Sequence, residues 1–473
     1  MKFRKRSHIT SLLFLLATAA PTFAAPDETV VHLTISPAAQ PDPALKYTLI
    51  PQPVDQIPGP AAPVYYNAMF VLSEYVNYQD KQRHLADVVD AALDTPISSL
   101  KPGDFSTVTN QPGAIDLLTQ ASLRDHADWS NTVRQQGFEA LLPNLSHFRS
   151  VASFLSLRAR VQLAQHDLPG CLQSTRLLFS LANHLREDSV LVQSLVGTAI
   201  ADQGLNHILQ DYVQTPDAPN LYWALAALPK PFFDMQEAMS WEKVAIRSSI
   251  APLRNGRSPD LLGPCEWEQV TRDFLRFSSG GSSNPSQQVN TTVMAIVLFP
   301  KSKQQLLDHG YTPESLNSMP APQIIGMALL QNFDHWSDEA AKCSALPFYQ
   351  AFPLLHQLNE HLNAVKALDP VNPVYAIFPA FDRAYLSLAK LDRHIALIQT
   401  VEALRNYAAA HSTTLPSSLD ELTETPAPLD PLTGKSFDYH QTSDTTAELS
   451  SIGAPLEADT NQTAVRYIIT LRK

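Results

Sequence analysis

Residues 149–185 read RSVASFLSLRARVQLAQHDLPGCLQSTRLLFSLANHL. Apolar residues recur every three to four positions on both sides of HDLPG, which is the spacing of one buried helix face. The reading is a helix, a turn at DLPG, and a second helix running back along the first. Residues 187–213, EDSVLVQSLVGTAIADQGLNHILQDYV, add a third helix that is apolar nearly all round between Val190 and Ile200. Such a helix belongs in a core. Gly197 and Gly204 within it predict close approach by neighbouring elements.

Outward from this stretch the pattern persists. DAPNLYWALAALP and PFFDMQEAMSWEKVAI continue the helical array to about residue 250, split by Pro229 and Pro231. Upstream, Pro63 and Pro112 stand where helices begin, and Leu85, Val88, Val89 and Ala92 share one helix face. Downstream, residues 278–288, SSGGSSNPSQQ, have the composition of a flexible loop. The TTVMAIVLF that follows is ambiguous between helix and strand. A long helix from about residue 380 to 411 places Leu388, Leu391, Ile395, Ile398, Val401 and Leu404 in one stripe. With 37 prolines and 15 glycines in 473 residues, the chain favours proline-started helices and stiff loops. Glycine-rich phosphate loops fit poorly.

The two ends differ from this body. VVHLTI and LKYTLI near the start are rich in β-branched residues and predict two strands. The tail, from Leu415, runs LPSSLDELTETPAPLDPLTGKSFDYH, and TAVRYIITL closes the chain as a last strand. An edge strand needs a partner, and LKYTLI is the expected one. The predicted fold is mainly α: a repeat-like helical array with a small α+β cap built from the C-terminal segment and the N-terminal strands. The expected segments are a signal peptide at 1–24, an extended two-stranded segment at 25–62, a helical domain at 63–379, and the long helix with its cap at 380–473.

The first residues carry Lys2, Arg4, Lys5 and Arg6, then the apolar SLLFLLATAA, then PTFAAP. This is the pattern of a cleavable secretory signal, with cleavage after Ala24. The apolar run is shorter than the roughly 20 residues that span a bilayer. The expected location is periplasmic or secreted, with no membrane span after cleavage. The formal net charge is -12, and removing four positive charges takes it to -16. So acidic a chain disfavours nucleic acid or anionic lipid as partner. Cys171, Cys265 and Cys343 are too few and too widely spaced for a zinc ribbon or a C-x-x-C redox motif; buried thiols are expected.

No catalytic signature stands out. G-x-S-x-G is absent. In HQLNEH, His356 and His361 are five apart, about 140° round a helix, so they cannot form the zinc-protease pair; Glu360, four from His356, shares its face. Asp125, His126 and Asp128 in RDHADW offer a carboxylate–imidazole cluster, with the two acids on one face if the stretch is helical. DHW at 334–336 is a weaker pair of the same kind. Asn220, Tyr222 and Trp223 are the candidate binding residues, although Leu221, Trp223 and Leu225 at helical spacing also read as core. The remaining acids and imidazoles are expected on solvated helix faces, and no cofactor is implied.

Three resemblances add to this reading. Ala159 and Cys171 match the small residues at the helix crossing of tetratricopeptide hairpins, while Gln162 and Thr175 replace that family's aromatic positions. The tail resembles the soluble head of the type II secretion major pseudopilin. The matches are Ala403, Leu404 and Tyr407; Leu415 and Pro416; Leu419 and Leu422; Asp430, Pro431 and Gly434; Phe437 and Tyr439; and Ser451, Ile452, Gly453 and Ala454. That family holds calcium with acids after the last segment. Here only Glu457 and Asp459 follow, fewer than the six oxygens calcium takes. The chain lacks that family's prepilin-peptidase start, so it is not expected to polymerise. As a whole it resembles a group of uncharacterised exported bacterial helical proteins, through PNLYWAL at 219–225 and LDR at 391–393. These readings together predict an exported, non-catalytic protein that binds or scaffolds protein partners in the envelope. The alternatives are an exported hydrolase whose site gathers Asp125, His126, Asp128 and Glu360, or an accessory factor of a secretion or pilus-like system.

Overall fold

The computed structural model describes residues 29–83, 85–129, 133–137, 145–278, 285–378, 380–451, 453 and 464–472. The expected signal peptide lies outside them. In chain order the main elements begin with strands β1 (Thr29–Ile35) and β2 (Ile57–Pro60). Helices α1 (Ala62–Arg83), α2 (Leu85–Asp94) and α3 (Pro112–Ser122) follow, then β3 (Arg124–His126). Next come α4 (Leu145–Ala164), α5 (Leu168–His184), α6 (Leu191–Gly204) and α7 (Tyr222–Ala226). Then come α8 (Met235–Ser249), α9 (Pro264–Ser278), α10 (Pro285–Asp308), α11 (Ala321–Ser344), α12 (Phe348–Leu368) and α13 (Phe381–Ala410). Strands β4 (Asp438–Ser443), β5 (Thr446–Ser451) and β6 (Val465–Leu471) end the order. The fold is mainly α with a small α+β part.

Proline sets many of the starts. It occupies the first or second helical position of α3, α5 and α11, where a missing N–H costs nothing and the fixed φ suits the helix. The expected turn at DLPG is part of α5: Asp167 is its N-cap, accepting the Gly170 amide at 3.0 Å. Ser278 ends α9 and Pro285 opens α10, so the expected loop at 278–288 is helical at both ends, and TTVMAIVLF is helical. Pro285 explains the restart.

The chain forms two compact units. One contains a short helix at Val133–Gln136 and the residues from Met235 to Tyr385. Its core is aromatic: Trp267, Phe274 and Phe333 pack with Ile250, Leu298, Leu329 and Val374. The other contains residues up to 129, 145–234 and 386 onward. There α4 and α5 form a hairpin in which Ala159 and Cys171 are fully buried. The central position expected for α6 is found, with Leu191, Val196, Gly197 and Ile200 buried. A Cβ on Gly197 would come within 2.3 Å of the Phe233 ring, and one on Gly204 within 2.9 Å of Leu178 and Phe179. Both glycines are therefore required by close packing.

In the same unit α13, from Leu386 onward, and a four-stranded sheet form the α+β part. The strand order is β1-β6-β5-β4. β4, β5 and β6 are an antiparallel meander, and β1 joins β6 in parallel, Leu33 opposite Ile469. The inner row is Leu33, Ile35, Ala447, Leu449, Tyr467, Ile469 and Leu471, all buried. The two chain ends thus share one sheet, but through VVHLTI and not LKYTLI. Residues 45–50 form no strand. Pro43, Pro51 and Pro53 flank them, and proline cannot donate to a ladder. All six residues of the stripe expected on α13, from Leu388 to Leu404, are buried.

Candidate functional site

Asp125 and His126 lie on β3, not on a helix, so the shared helical face expected for Asp125 and Asp128 does not exist. β3 pairs in parallel with β2, where Gly59 has φ of 125° and donates its amide to Asp125 Oδ1 at 2.9 Å. That oxygen also meets His126 Nδ1 at 2.6 Å. The Gly59 amide, and then His126, hold the Asp125 carboxyl below its usual range. Both side chains are well exposed, and what they do is hold a turn. Asp128 takes a positive φ of 47°, a conformation Asp tolerates better than most residues.

Behind this turn is a group the sequence did not reveal. His184, at the end of α5, is buried. Its Nε2 faces the Arg124 carbonyl at 3.1 Å and must donate, so Nδ1 accepts from the Tyr65 hydroxyl at 3.0 Å. Burial lowers the imidazole pKa and raises that of Tyr65. Glu187 accepts the Ala127 amide at 2.6 Å, and burial raises its pKa. Trp129 donates to the His184 carbonyl at 2.8 Å and stacks on Tyr65 with 5.7 Å between ring centroids. Tyr65 and His184 are 119 residues apart, and no local pattern links them.

The candidate binding residues are interior ties. Asn220 is buried and donates to the carbonyls of Ala38 (3.0 Å) and Glu402 (2.8 Å), while its Oδ1 accepts the Tyr222 amide at 2.9 Å. The Tyr222 hydroxyl donates to the Pro426 carbonyl, and Trp223 Nε1 to Gln40 Oε1. They fasten residues 38–40 and the tail to the helices.

Beside them on α13 lies the largest departure from expectation: several charged groups are buried instead of solvated. Arg405 and Glu402 are both fully buried and meet at 2.8 Å. Arg405 also donates to the carbonyls of Ser36 (3.0 Å) and Ala218 (2.6 Å). Burial raises the Glu402 pKa against the pull of Arg405. Arg393 grips Asp430 through two hydrogen bonds of 2.9 Å, both partners buried. Asp392 accepts the Phe232 amide at 2.8 Å, and burial pushes its carboxyl up to about 7.

Glu360 lies on α12 in the other unit, exposed, 3.6 Å from His356. It does not belong to the unit that holds Asp125, His126 and Asp128. His335, of DHW, makes an edge contact with Trp336 while Asp334 pairs with Lys243 and Arg247. Glu457 and Asp459 lie outside the described residues. All three cysteines are free; Cys171 and Cys343 are buried, and Cys265 is exposed. Burial pushes the Cys171 thiol up to about 12, which suits packing and not nucleophilic attack. Among the described residues, no three His, Cys, Asp or Glu side chains converge as metal ligands, and no helix is long and apolar enough to cross a membrane.

Set against known protein families, curated proteins and solved structures, the chain has no match.

Proposed function

We propose that this is an exported, non-catalytic protein that binds or scaffolds protein partners in the bacterial envelope. The observation that carries the reading is the commitment of the reactive side chains. Asp125 is held by Gly59 and His126, His184 has both ring nitrogens bonded, and Asn220 uses three hydrogen bonds inside the fold. A catalytic acid or base needs a free lone pair or proton aimed at a reacting atom. Export is supported by the basic, apolar and small-residue stretches of the first 24 residues. The α4–α5 hairpin, with Ala159 and Cys171 both buried in it, supports a tetratricopeptide-like protein-binding role.

Expression of the full chain in a Gram-negative host, followed by fractionation and N-terminal sequencing, tests the export half. The expected product starts at Ala25 in the periplasm or medium; an intact Met1 start in the cytoplasm refutes it. Affinity capture from envelope extract tests the binding half.

A second reading, as an accessory factor of a secretion machine, is favoured by one observation. The long α13 leads through the Asp430–Gly434 turn, with Gly434 at φ 67° and donating to Asp430 O at 2.8 Å, into an antiparallel meander. A long helix, a DP-x-x-G turn and a strand, in that order, are among the parts that the pseudopilin resemblance names. Co-purification with secretion components distinguishes it from a general scaffold.

A further inference from the structure

We propose that His356 and Glu360, with Asp382 behind the imidazole, form a surface site for a divalent transition-metal ion of the zinc or copper class. The α12 backbone sets the first two residues four apart, one turn above the other. His356 Nδ1 stands 3.1 Å from Asp382 Oδ2. The Asp382 side chain is 12% exposed, and its other oxygen accepts the Arg383 amide at 2.7 Å. This fixed, largely buried carboxylate takes the proton-bearing Nδ1, so the lone pair is left on Nε2. A carboxylate behind a ligating imidazole is the usual support of a metal-binding histidine. The ring is further positioned by the face of Phe352, 6.4 Å away between centroids.

In front of the ring, Nε2 stands 3.6 Å from Glu360 Oε1. Two ligands each about 2.1 Å from a tetrahedral zinc lie about 3.4 Å apart, so a shift of a few tenths of an ångström lets both reach one ion. Glu360 is 71% exposed and free to make it. His361 takes no part, because its ring is turned against Trp336 at 5.2 Å. With two protein ligands the remaining positions fall to water, and the ion is exchangeable. The imidazole selects zinc or copper; calcium and magnesium prefer all-oxygen sets.

The test is a zinc titration of the untagged mature chain carrying Cys265→Ser, which removes the exposed thiol as a competing ligand, against a chromophoric chelator. One equivalent of zinc is expected to bind. His356→Ala and Glu360→Gln should each weaken it at least tenfold, and Asp382→Asn by about 10–100-fold. Magnesium and calcium should not compete. Glu360→Gln changes an exposed side chain, so the test holds even if His356→Ala fails to fold. Absence of a bound equivalent overturns the proposal. So does binding that is unchanged in His356→Ala or in Glu360→Gln.

Discussion

Arg405 and Glu402 face each other at 2.8 Å, one turn apart on α13, and neither side chain reaches water. The remaining donors of Arg405 hold Ser36, just after β1, and Ala218, just before PNLYWAL. One side chain therefore ties three distant segments of a unit. Removing one partner of such a pair leaves a buried charge uncompensated, which costs about 3–5 kcal/mol. Arg405→Ala should lower stability by that amount in urea unfolding followed by tyrosine and tryptophan fluorescence. A loss below 1 kcal/mol would contradict the role given to Arg405.

Asn220→Ala removes three hydrogen bonds and leaves the Tyr222 amide and the half-buried Ala38 carbonyl without this partner. At about 1–3 kcal/mol per unsatisfied buried group, the expected loss is about 2–4 kcal/mol. Proteolysis should then cut first within residues 36–60, because Asn220 and its neighbours fasten that segment. Partner capture, by contrast, should change only in proportion to the folded fraction. A fully stable variant that no longer captures partners would return Asn220 to the list of binding residues.

Stability should depend on pH from two opposed groups. Asp392 has its folded pKa raised to about 7, against about 3.9 unfolded. Its contribution is full below about pH 4 and is lost as pH rises through 7. His184 has a depressed folded pKa. Its contribution is full above about pH 6.5 and is lost as pH falls below that. Melting temperatures of Asp392→Asn and the parent, compared from pH 4 to pH 8, check the first group. The variant should gain on the parent between about pH 4 and pH 7 and keep a constant lead above that. Parallel profiles would show that Asp392 does not titrate in this window.

Gly197→Ala places a methyl group 2.3 Å from the Phe233 ring. The cost of such overpacking is about 1–3 kcal/mol, although alanine is the better helix former. Gly197→Ala with Phe233→Leu should recover part of the loss, measured as coupling in a double-mutant cycle. A stabilised single variant would contradict the packing described for α6.

Much of the fold was legible. The apolar stripe of α13, the central place of α6 and the prolines at the starts of α1 and α3 follow from local periodicity and from the chemistry of one residue type. The meeting of the two ends was also legible, because the strand near residue 470 needed a partner. Which strand supplied it was misread: LKYTLI has the right β-branched residues, but Pro51 follows it directly, whereas the nearest proline to VVHLTI, Pro37, stands two residues past its end. The candidate site was far less legible. Arg405 and Glu402 look like ordinary charges in sequence, Asp430 reads only as a turn residue, and only the fold brings Arg393 to Asp430 across 37 residues. Asp125 and Asp128 were misplaced because RDHADW has no period of its own, and Gly59, 66 residues away, decides its conformation.

The most direct measurement is quantitative affinity capture from envelope extract with the mature chain, residues 25–473, beside a variant carrying Asp125→Ala, His126→Ala and Asp128→Asn. A shape-based binding protein predicts the same enriched envelope proteins, in the same yield, from both. Nothing enriched above an unrelated acidic control, or enrichment abolished in the folded triple variant, would contradict it.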